Sequence, residues 1–329
     1  MKISQIGEDP FIQMIKEKMN QDLPKDVIGI EDDCAVIPYT RDKLLLLSTD
    51  SLTEGCHFLK DKIAPEDLGY KAVMVNVSDI AAMGGRSLYL LMSIALPSDV
   101  EESWLKKYLE GVQEACSEAR VFLIGGDTTG SKNEIFINFT IVGEINKSDI
   151  KYRKGAQIGD KICLTSPIGD SLAGFHSLME GKTNRLTQKH CKPKAQYKQG
   201  LWLGKQIAVH AMMDLSDGVD QDLARMMLAS SKGAEVVLEQ IPMSEDFLEF
   251  AKTHHWNASE QAVVSGEEYC LLLTVDPVEF ERLNNEFIKK FSCPLYVIGS
   301  VKSGTGVTYL QKGQNVKIES KSYVHFKEQ

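Results

Sequence analysis

Aspartates stand at the edges of short apolar runs in five separate parts of the chain. Because strand ends of an α/β domain converge in space, we expect these side chains to meet at one edge of the fold. Gathered carboxylates repel each other and stay ionised only if cations lie between them, and hard oxygen ligands suit Mg²⁺ that carries a polyphosphate. The pattern therefore predicts a metal-dependent site for phosphoryl transfer. The residues are Asp32 and Asp33 before Cys34, Asp50 after 44–49, Asp79 after 75–78, Asp127 after 123–126, and Asp214 with Asp217 in 213–218.

Each aspartate alone is weak evidence, because most residues of this kind form turns or cap helices. Asp79 is more informative, since it falls on one helical stripe with Leu68, Ala72, Val75 and Ala82. A carboxylate on such an apolar face must be paired or must ligate something. The alternative is a buried aspartate bonded to a backbone amide, and the recurrence of the pattern in five segments favours a site.

Composition limits the class of protein and its partners. The 329 residues suffice for two domains, and 43% hydrophobic with 25% charged residues is typical of a soluble globular protein. A net charge of -9 argues against nucleic acid as a partner, and no apolar run is long enough to span a membrane. The start lacks a signal-peptide core, and the seven cysteines form no Cys-x-x-Cys pair. We expect free thiols and a cytoplasmic protein.

The first half of the chain alternates predicted strands and helices. One helix runs from Pro65 to about Gly84, and another from Val100 to Ala119 with Ser98-Asp99 as its cap. The pair Gly125-Gly126 is predicted to close a strand. The polar stretch near residue 147 predicts a boundary between domains 1–147 and 148–329. The predicted strands are 43–49, 88–96, 121–124 and 135–143.

The second half predicts a further domain of mixed elements. The fold class is α/β (α+β), and two such domains are favoured over one barrel because βα units do not recur eight times. The predicted strands are 160–165, 234–238, 269–275 and 295–301. Residues 167–171 are predicted to lead into a helix that ends near Glu180, further helices are predicted at 200–211 and 219–230, and 181–199 is predicted to be loop with some helix.

No standard phosphate-binding loop accompanies the aspartates. Gly181-Lys182-Thr183 looks like the end of a P-loop, but His176 stands where its first glycine belongs. A Rossmann glycine pattern is also missing after the first strand. We therefore expect metal bridges and the glycine-rich turns 125–130 and 169–171 to hold phosphate through backbone N–H groups.

Seven motifs, taken in order, closely resemble those of the thiamine-monophosphate kinase family and span nearly the whole chain. Two of them, Glu-Gly-x-His-Phe at 54–58 and Asp-Leu-Ser-Asp-Gly at 214–218, separate this family from the wider aminoimidazole ribonucleotide synthetase-like superfamily. That superfamily also contains selenophosphate synthetase and a hydrogenase-maturation protein, whose cysteine marks this chain lacks. The motifs lie at 29–36, 48–58, 70–84, 125–129, 169–171, 213–218 and 265–269.

The resemblance implies a two-domain PurM-like architecture and a homodimer formed through the N-terminal domain. It also implies ATP-dependent phosphorylation of thiamine monophosphate to thiamine diphosphate with several Mg²⁺ ions, with Asp50, Asp79 and Asp127 central to catalysis. By resemblance, the metal ligands are Asp33, Ser48, Thr49, Asp50, Asp79, Asp127, Asp214 and Asp217, the ATP contacts are Gly126, Asp127, Arg153 and Ser216, and the thiamine contacts are His57, Glu267 and Tyr323.

Other interpretations stay open for four of these residues. His57 fits an ordinary half-buried histidine, Arg153 a solvated charge in a basic linker, Tyr323 a packing residue, and Glu267 the cap of a turn. The Mg²⁺ aspartates have a chemical rationale, because the attacking phosphate oxygen is already anionic and the enzyme must mainly cancel repulsion between phosphates.

The chain departs from the family pattern at two places. The usual Gly-Gly-Glu-Asp-Tyr-Glu is Ser-Gly-Glu-Glu-Tyr-Cys at 265–270, and Gly130 replaces a common arginine. The first change puts affinity for the thiamine end in doubt, and the second removes a possible phosphate cation. Two rival functions therefore stay open: another ATP-using member of the superfamily, and a catalytically silent nucleotide- or thiamine-binding protein.

Overall fold

The computed structural model describes residues 8–19, 23–319 and 322. A helix, α1 (Glu8–Met19), precedes a five-stranded sheet with the order β1-β2-β5-β3-β4. Only β3 and β4 pair in parallel, so this sheet is mainly antiparallel. The strands are β1 (Ala35–Pro38), β2 (Lys43–Thr53), β3 (Arg86–Leu96), β4 (Phe122–Gly130) and β5 (Phe136–Asn146).

Two helices, α2 (Pro65–Ala82) and α3 (Glu102–Ala119), cover one face of this sheet. The start and end of α2 are confirmed, with proline in the first turn and Gly84 at φ 79° beyond the last. The predicted cap of α3 is wrong. The helix begins after Glu101 with no side-chain cap, because residues 98–99 form a separate turn and Val100 packs on the core.

The strand β4 does not end at the glycine pair, so that prediction is wrong. A bulge beside Leu90 of β3 shifts the register, and β4 then continues to Gly130. Gly126 has φ 153°, and a Cβ there would lie 1.7 Å from the Met92 carbonyl oxygen. The glycine therefore allows close approach of β3, and the extra residue of the bulge is Ile124.

The second half of the chain forms a seven-stranded sheet with the order β12-β11-β8-β10-β6-β9-β7, in which only β8 and β11 are parallel neighbours. The fold class is thus two domains of mixed helices and largely antiparallel sheets. The strands are β6 (Lys161–Leu164), β7 (Val209–Asp214), β8 (Gly233–Val237), β9 (Leu271–Val275), β10 (Tyr296–Lys302), β11 (Gly306–Gln311) and β12 (Gln314–Val316). The helices are α4 (Asp170–Met179), α5 (Arg185–Cys191), α6 (Tyr197–Gly204), α7 (Val219–Ser230), α8 (Glu245–Thr253), α9 (Ala258–Val263) and α10 (Phe280–Phe291).

The predicted helix 200–211 is wrong in its second half. Helix α6 ends at Gly204, and Val209–Asp214 is a strand paired with β9 and buried along nearly its whole length. A strand buried on both faces has no alternation that would distinguish it from a helix. The helices α1, α8, α9 and α10 were not predicted.

Helix α2 also joins the two halves. A Cβ on Gly200 of α6 would lie 2.2 Å from the Ala81 carbonyl oxygen, so the two helices touch through their backbones. The domain boundary at 147/148 stays a prediction; the first sheet ends at Asn146 and the second begins at Lys161. Within the described residues, no helix combines the length and apolar character that crossing a membrane requires.

Candidate active site

Three carboxylates from distant parts of the chain meet between the two sheets. Asp33 precedes β1, Asp79 lies near the end of α2 and Asp214 ends β7, yet one oxygen of each lies within 4.8 Å of the others. Hydroxyl groups orient two of them. Ser48 Oγ donates to Asp79 Oδ2 at 2.5 Å, and Ser78 Oγ donates to Asp214 Oδ2 at 2.6 Å.

Burial and mutual repulsion disfavour the charged forms of these carboxylates. Burial raises the pKa of Asp79 well above its usual range, and the charges of Asp50, Asp214 and Asp33 raise it further. The pKa of Asp214 is raised by burial and by Asp33. Asp50 has its pKa raised to about 6 by burial, then by Asp217 and Asp33. The five aspartates therefore share one electrostatic environment that calls for cations.

The donor set fits Mg²⁺. Asp33 Oδ2 is buried and has no hydrogen-bond partner among the described residues, so one carboxylate oxygen is left for a ligand. The other donors are carboxylate and hydroxyl oxygens, which hard divalent cations prefer. Thr49 is placed differently, because its hydroxyl donates to the Phe139 carbonyl oxygen and accepts from Asn138 on β5.

Asp217 is held by residues that the sequence did not reveal. Its carboxylate pairs with Arg225 on α7. Asp222, also on α7, accepts hydrogen bonds from the backbone N–H groups of Ser216, Asp217 and Gly218 at 3.0–3.2 Å. Asp222 thus fixes the turn after β7. Its signal in the sequence was only an acidic residue in the first turn of a predicted helix.

Arg153 forms an ion pair rather than a solvated charge. Its Nη2 lies 2.6 Å from Asp33 Oδ1, and its backbone N–H donates to both carboxylate oxygens of Asp32 at 3.1 Å. Burial, with repulsion from Asp33, raises the pKa of Asp32 to about 7 despite the arginine. Arg153 is therefore a guanidinium at the acidic cluster beside Asp33, as Arg225 is beside Asp217.

Asp127 is not brought into the cluster of its own chain. Asp50 lies opposite Phe139 of β5, Phe139 opposite Met92 of β3, and Met92 opposite Gly126 of β4. Three strand spacings separate β2 from β4, about 14 Å at about 4.8 Å each. Both Gly126 and Asp127 are exposed on β4, at the end of the sheet order.

Of the residues predicted for the thiamine end, Glu267 forms an ion pair with a buried lysine. Glu267 Oε1 lies 2.8 Å from Lys71 Nζ of α2, and Glu267 Oε2 lies 3.4 Å from Nδ1 of His190 at the end of α5. His57 is half-buried, accepts a hydrogen bond from the Thr53 N–H through Nδ1, and interacts electrostatically with Glu267. Tyr323 lies outside the described residues. Lys71 and His190 were missed, since a lone lysine in a helix usually indicates a solvated face.

Glu268 occupies the turn that was expected to bind phosphate. Its Oε1 accepts from the N–H groups of Gly169 at 2.7 Å and Ser171 at 3.2 Å, and from Ser265 Oγ at 2.6 Å. Those N–H groups are thus already satisfied by the protein. Burial raises the pKa of Glu268 to about 7. Ser265 and Glu268 are two of the three departures from the family pattern in this motif, and they are hydrogen-bonded to each other.

Comparisons with known proteins show the family and the fold. The AIR synthase related protein family matches the chain in its N-terminal domain at residues 31–145 and in its C-terminal domain at 157–310. Thiamine-monophosphate kinase of Haemophilus influenzae is 35% identical over 92% of each chain, and that of Aquifex aeolicus is 34% identical over 99% of this chain and 100% of its own. A solved structure described as AaThiL complexed with AMPPCP and TMP is 32% identical, covers 99% of both chains and has a TM-score of 0.86. The chain belongs to the thiamine-monophosphate kinase family of the AIR synthase related proteins.

Proposed function

We propose that this protein transfers the terminal phosphoryl group of ATP to thiamine monophosphate, forming thiamine diphosphate, with Mg²⁺ ions held by the acidic cluster. The observation that carries the proposal is the convergence of Asp33, Asp79 and Asp214, with one buried oxygen of Asp33 that has no hydrogen-bond partner among the described residues. The solved relative with AMPPCP and TMP supports the choice of substrates.

The side chains of the cluster suit a reaction between two phosphates. The acceptor oxygen is anionic, so no strong general base is needed, and the chain has to bind and align the reactants. Mg²⁺ bound there would neutralise charge on the phosphate oxygens as they approach. Arg153 supplies a fixed cation beside Asp33. We assign metal ligation to Asp33, Ser48, Asp50, Asp79, Asp214 and Asp217, ATP contact to Arg153 and Ser216, and substrate contact to His57 and Glu267.

The direct test is formation of thiamine diphosphate by the purified protein. Incubation with ATP, Mg²⁺ and thiamine monophosphate should yield thiamine diphosphate and ADP in equal amounts, and chelation of the metal should stop the reaction. The exposed Asp61 offers a matched control, because Asp61→Asn removes one carboxylate away from the cluster. ATP binding without product would favour the silent binding protein, and turnover only with another phosphorylated metabolite would favour the other enzymatic rival.

We further infer a homodimer in which Asp127 serves the partner's site. The sheet face opposite α2 and α3 is open and carries exposed apolar side chains, including Leu91 (41%), Phe122 (65%) and Ile124 (60%). The outer edge of β4 pairs with no strand of the described residues. An exposed apolar face with a free edge is typical of a surface that a second copy covers. A two-fold dimer would bring Asp127 towards the partner's cluster, which it does not reach in its own chain.

Mixing two inactive variants tests the dimer and the shared site together. If Asp127 acts in the partner's site, a mixed dimer of Asp50→Asn and Asp127→Asn contains one intact site and one with both defects. Equal mixing would then restore about one quarter of wild-type activity, since half of the dimers are mixed. No recovery after the two variants are unfolded and refolded together, with light scattering showing that the product is dimeric, would place Asp127 in its own chain's site.

A cytoplasmic location is part of the same proposal. All seven cysteines are free, and four of them, Cys34, Cys163, Cys191 and Cys270, are buried. Free thiols in this number are typical of a reducing compartment. Recovery of the enzyme from an oxidising compartment of its host would contradict the assignment.

A further inference from the structure

A fully buried lysine of α2 contacts the glutamate assigned to the substrate. Lys71 is 0% exposed, and its Nζ lies 2.8 Å from Glu267 Oε1. The ammonium group makes no hydrogen bond of good geometry in the described part of the chain, so the contact acts as a charge pair. Burying a lysine in this way is rarely favourable, because desolvation opposes the Coulomb attraction. Stability alone therefore does not explain Lys71.

Contacts of both its backbone and its side chain hold Glu267 in place. It has a left-handed backbone conformation with φ 57°, and its N–H donates to the Ser216 carbonyl oxygen at 2.6 Å. Strained conformations of non-glycine residues tend to occur at functional sites. The Glu267 side chain remains 28% exposed, whereas Lys71 behind it is covered. One side of the carboxylate is therefore available to a ligand.

His190 orients the carboxylate without adding charge at neutral pH. Burial, together with the charge of Lys71, lowers the pKa of His190 to about 4. Its Nδ1 lies 3.1 Å from Ser171 Oγ and 3.4 Å from Glu267 Oε2. Burial alone would raise the pKa of Glu267, but Lys71 first, and then His190 and His57, together hold that pKa below its usual range. Lys71 is thus the main countercharge.

The ion pair and the metal cluster each include one residue of helix α2, Lys71 and Asp79. Lys71 precedes Asp79 by eight residues of α2, which corresponds to about 12 Å along the helix axis. Burial first, and then the charges of Glu267, Asp50 and Asp214, raise the pKa of the buried Tyr269 phenol well above its usual range. The arrangement fits an elongated ligand with a phosphate at the cluster and a hydrogen-bond donor or cation at Glu267.

We propose that Lys71 and His190 are positioning residues that hold Glu267 as a fixed acceptor for the amine-bearing, cationic end of the substrate. This inference rests on the proposed function. Lys71 keeps the carboxylate in place behind the ligand, and His190 with Ser171 sets its rotation. Neither residue contacts the phosphates.

Substitution of Lys71 tests the claim through the two Michaelis constants. Lys71→Met should raise KM for thiamine monophosphate by about tenfold or more, while KM for ATP changes less than about twofold. Lys71→Arg should recover part of the loss, because the charge is retained. His190→Gln should raise the same KM by about three- to fivefold, since it removes orientation but not the countercharge.

A double-mutant cycle separates positioning from stability. If Lys71 acts through Glu267, then Lys71→Met adds no further rise in KM to Glu267→Gln. Equal effects of Lys71→Met in both backgrounds, or a change in melting temperature with KM for thiamine monophosphate unchanged, would overturn the proposal. Should Lys71→Met fail to fold, His190→Gln tests the proposal instead. An unchanged KM for thiamine monophosphate in that variant overturns the proposal. An inactive wild type would instead refute the proposed function itself.

Discussion

Asp79 and Asp214 show how single residues prepare this site for cations. Asp214 is buried and Asp79 is half-buried, and one serine hydroxyl partly stabilises each carboxylate, Ser48 for Asp79 and Ser78 for Asp214. One hydrogen bond does not offset the loss of hydration and the repulsion from a second carboxylate. The metal-free site therefore holds unfavourable charge that binding of Mg²⁺ would relieve.

Asp79→Asn should separate catalysis from folding. We expect kcat/KM to fall by about 10² to 10³, because a charged ligand that acts on phosphoryl transfer is lost. The metal-free variant should melt at a higher temperature than the metal-free wild type, since repulsion with Asp214 is removed. Steady-state kinetics and thermal melting measure the two effects, with Asp61→Asn as the control. An active Asp79→Asn enzyme would contradict the assigned role.

A site residue could be predicted from the sequence where its role depends on neighbouring residues, and not where it depends on partners that are distant in the chain. Asp33, Asp79 and Asp214 were predictable because each stands beside an apolar run that fixes its burial locally. Lys71 and Asp222 were not, because their roles depend on partners that only folding brings near. A charged residue in a helix is typical of a solvated face unless its partner is known.

At the scale of elements, α2 determines the site because it reaches both the metal cluster and the Glu267 end. Its position depends on close contact with α3, where a Cβ on Gly111 would lie 1.8 Å from the Glu66 carbonyl oxygen. The ends of α2 were predictable from Pro65 and Gly84. The course of β4 was not, because a glycine pair indicates a strand end as readily as a bulge.

Gly111→Ala should therefore disturb the site from a distance. The added methyl group forces α2 and α3 apart, and we expect the free energy of unfolding to fall by about 1–3 kcal/mol. Chemical denaturation measures this change. Gly130→Ala is the matched control, because no atom of the described residues lies within 4 Å of its Cβ position. Equal stability of the two variants would contradict the close packing of these helices.

The acidic cluster should also make the metal-free protein less stable as pH rises, the opposite of what ordinary paired carboxylates do. Asp50, with a folded-state pKa of about 6 against about 3.8 unfolded, binds its proton more tightly when folded. Its contribution to the free energy of unfolding is thus fully present below pH 3.8 and is lost as pH rises through about 6. Asp32, with a pKa of about 7, extends this loss of stability to higher pH. Melting temperatures without metal should fall between about pH 5 and pH 7.5. Saturating Mg²⁺ should raise them most at the upper end, and a metal-free protein that is more stable at pH 7.5 would contradict the assignment.

At the scale of the whole molecule, a second copy of the chain would explain both the open sheet face and the distance of Asp127 from the acidic cluster of its own chain. The face is lined by apolar residues of β3 and β4, which a lone chain would leave in water. The alternation of these strands predicts two faces, but the sequence alone does not indicate which partner covers the second. Dimerisation was therefore expected only from family resemblance.

Leu91→Asp should dissociate the dimer and reduce activity together. A charge buried in the interface opposes association, and the separated chains lose the partner's Asp127. Light scattering gives the mass, and kinetics give the activity. Leu248→Asp, which alters an exposed leucine of α8 away from this face, should change neither. A monomeric Leu91→Asp variant with full activity would contradict the shared site.

The central claim is that aspartates distant in the chain meet around divalent cations that hold two phosphates together. Equilibrium titration with Mn²⁺ in place of Mg²⁺, followed by electron paramagnetic resonance in the presence of a non-hydrolysable ATP analogue, tests it most directly. We predict tight binding of more than one Mn²⁺ per chain, with fewer bound to Asp33→Asn and Asp214→Asn and no loss with Asp61→Asn. Equal Mn²⁺ binding by all four proteins would contradict the account.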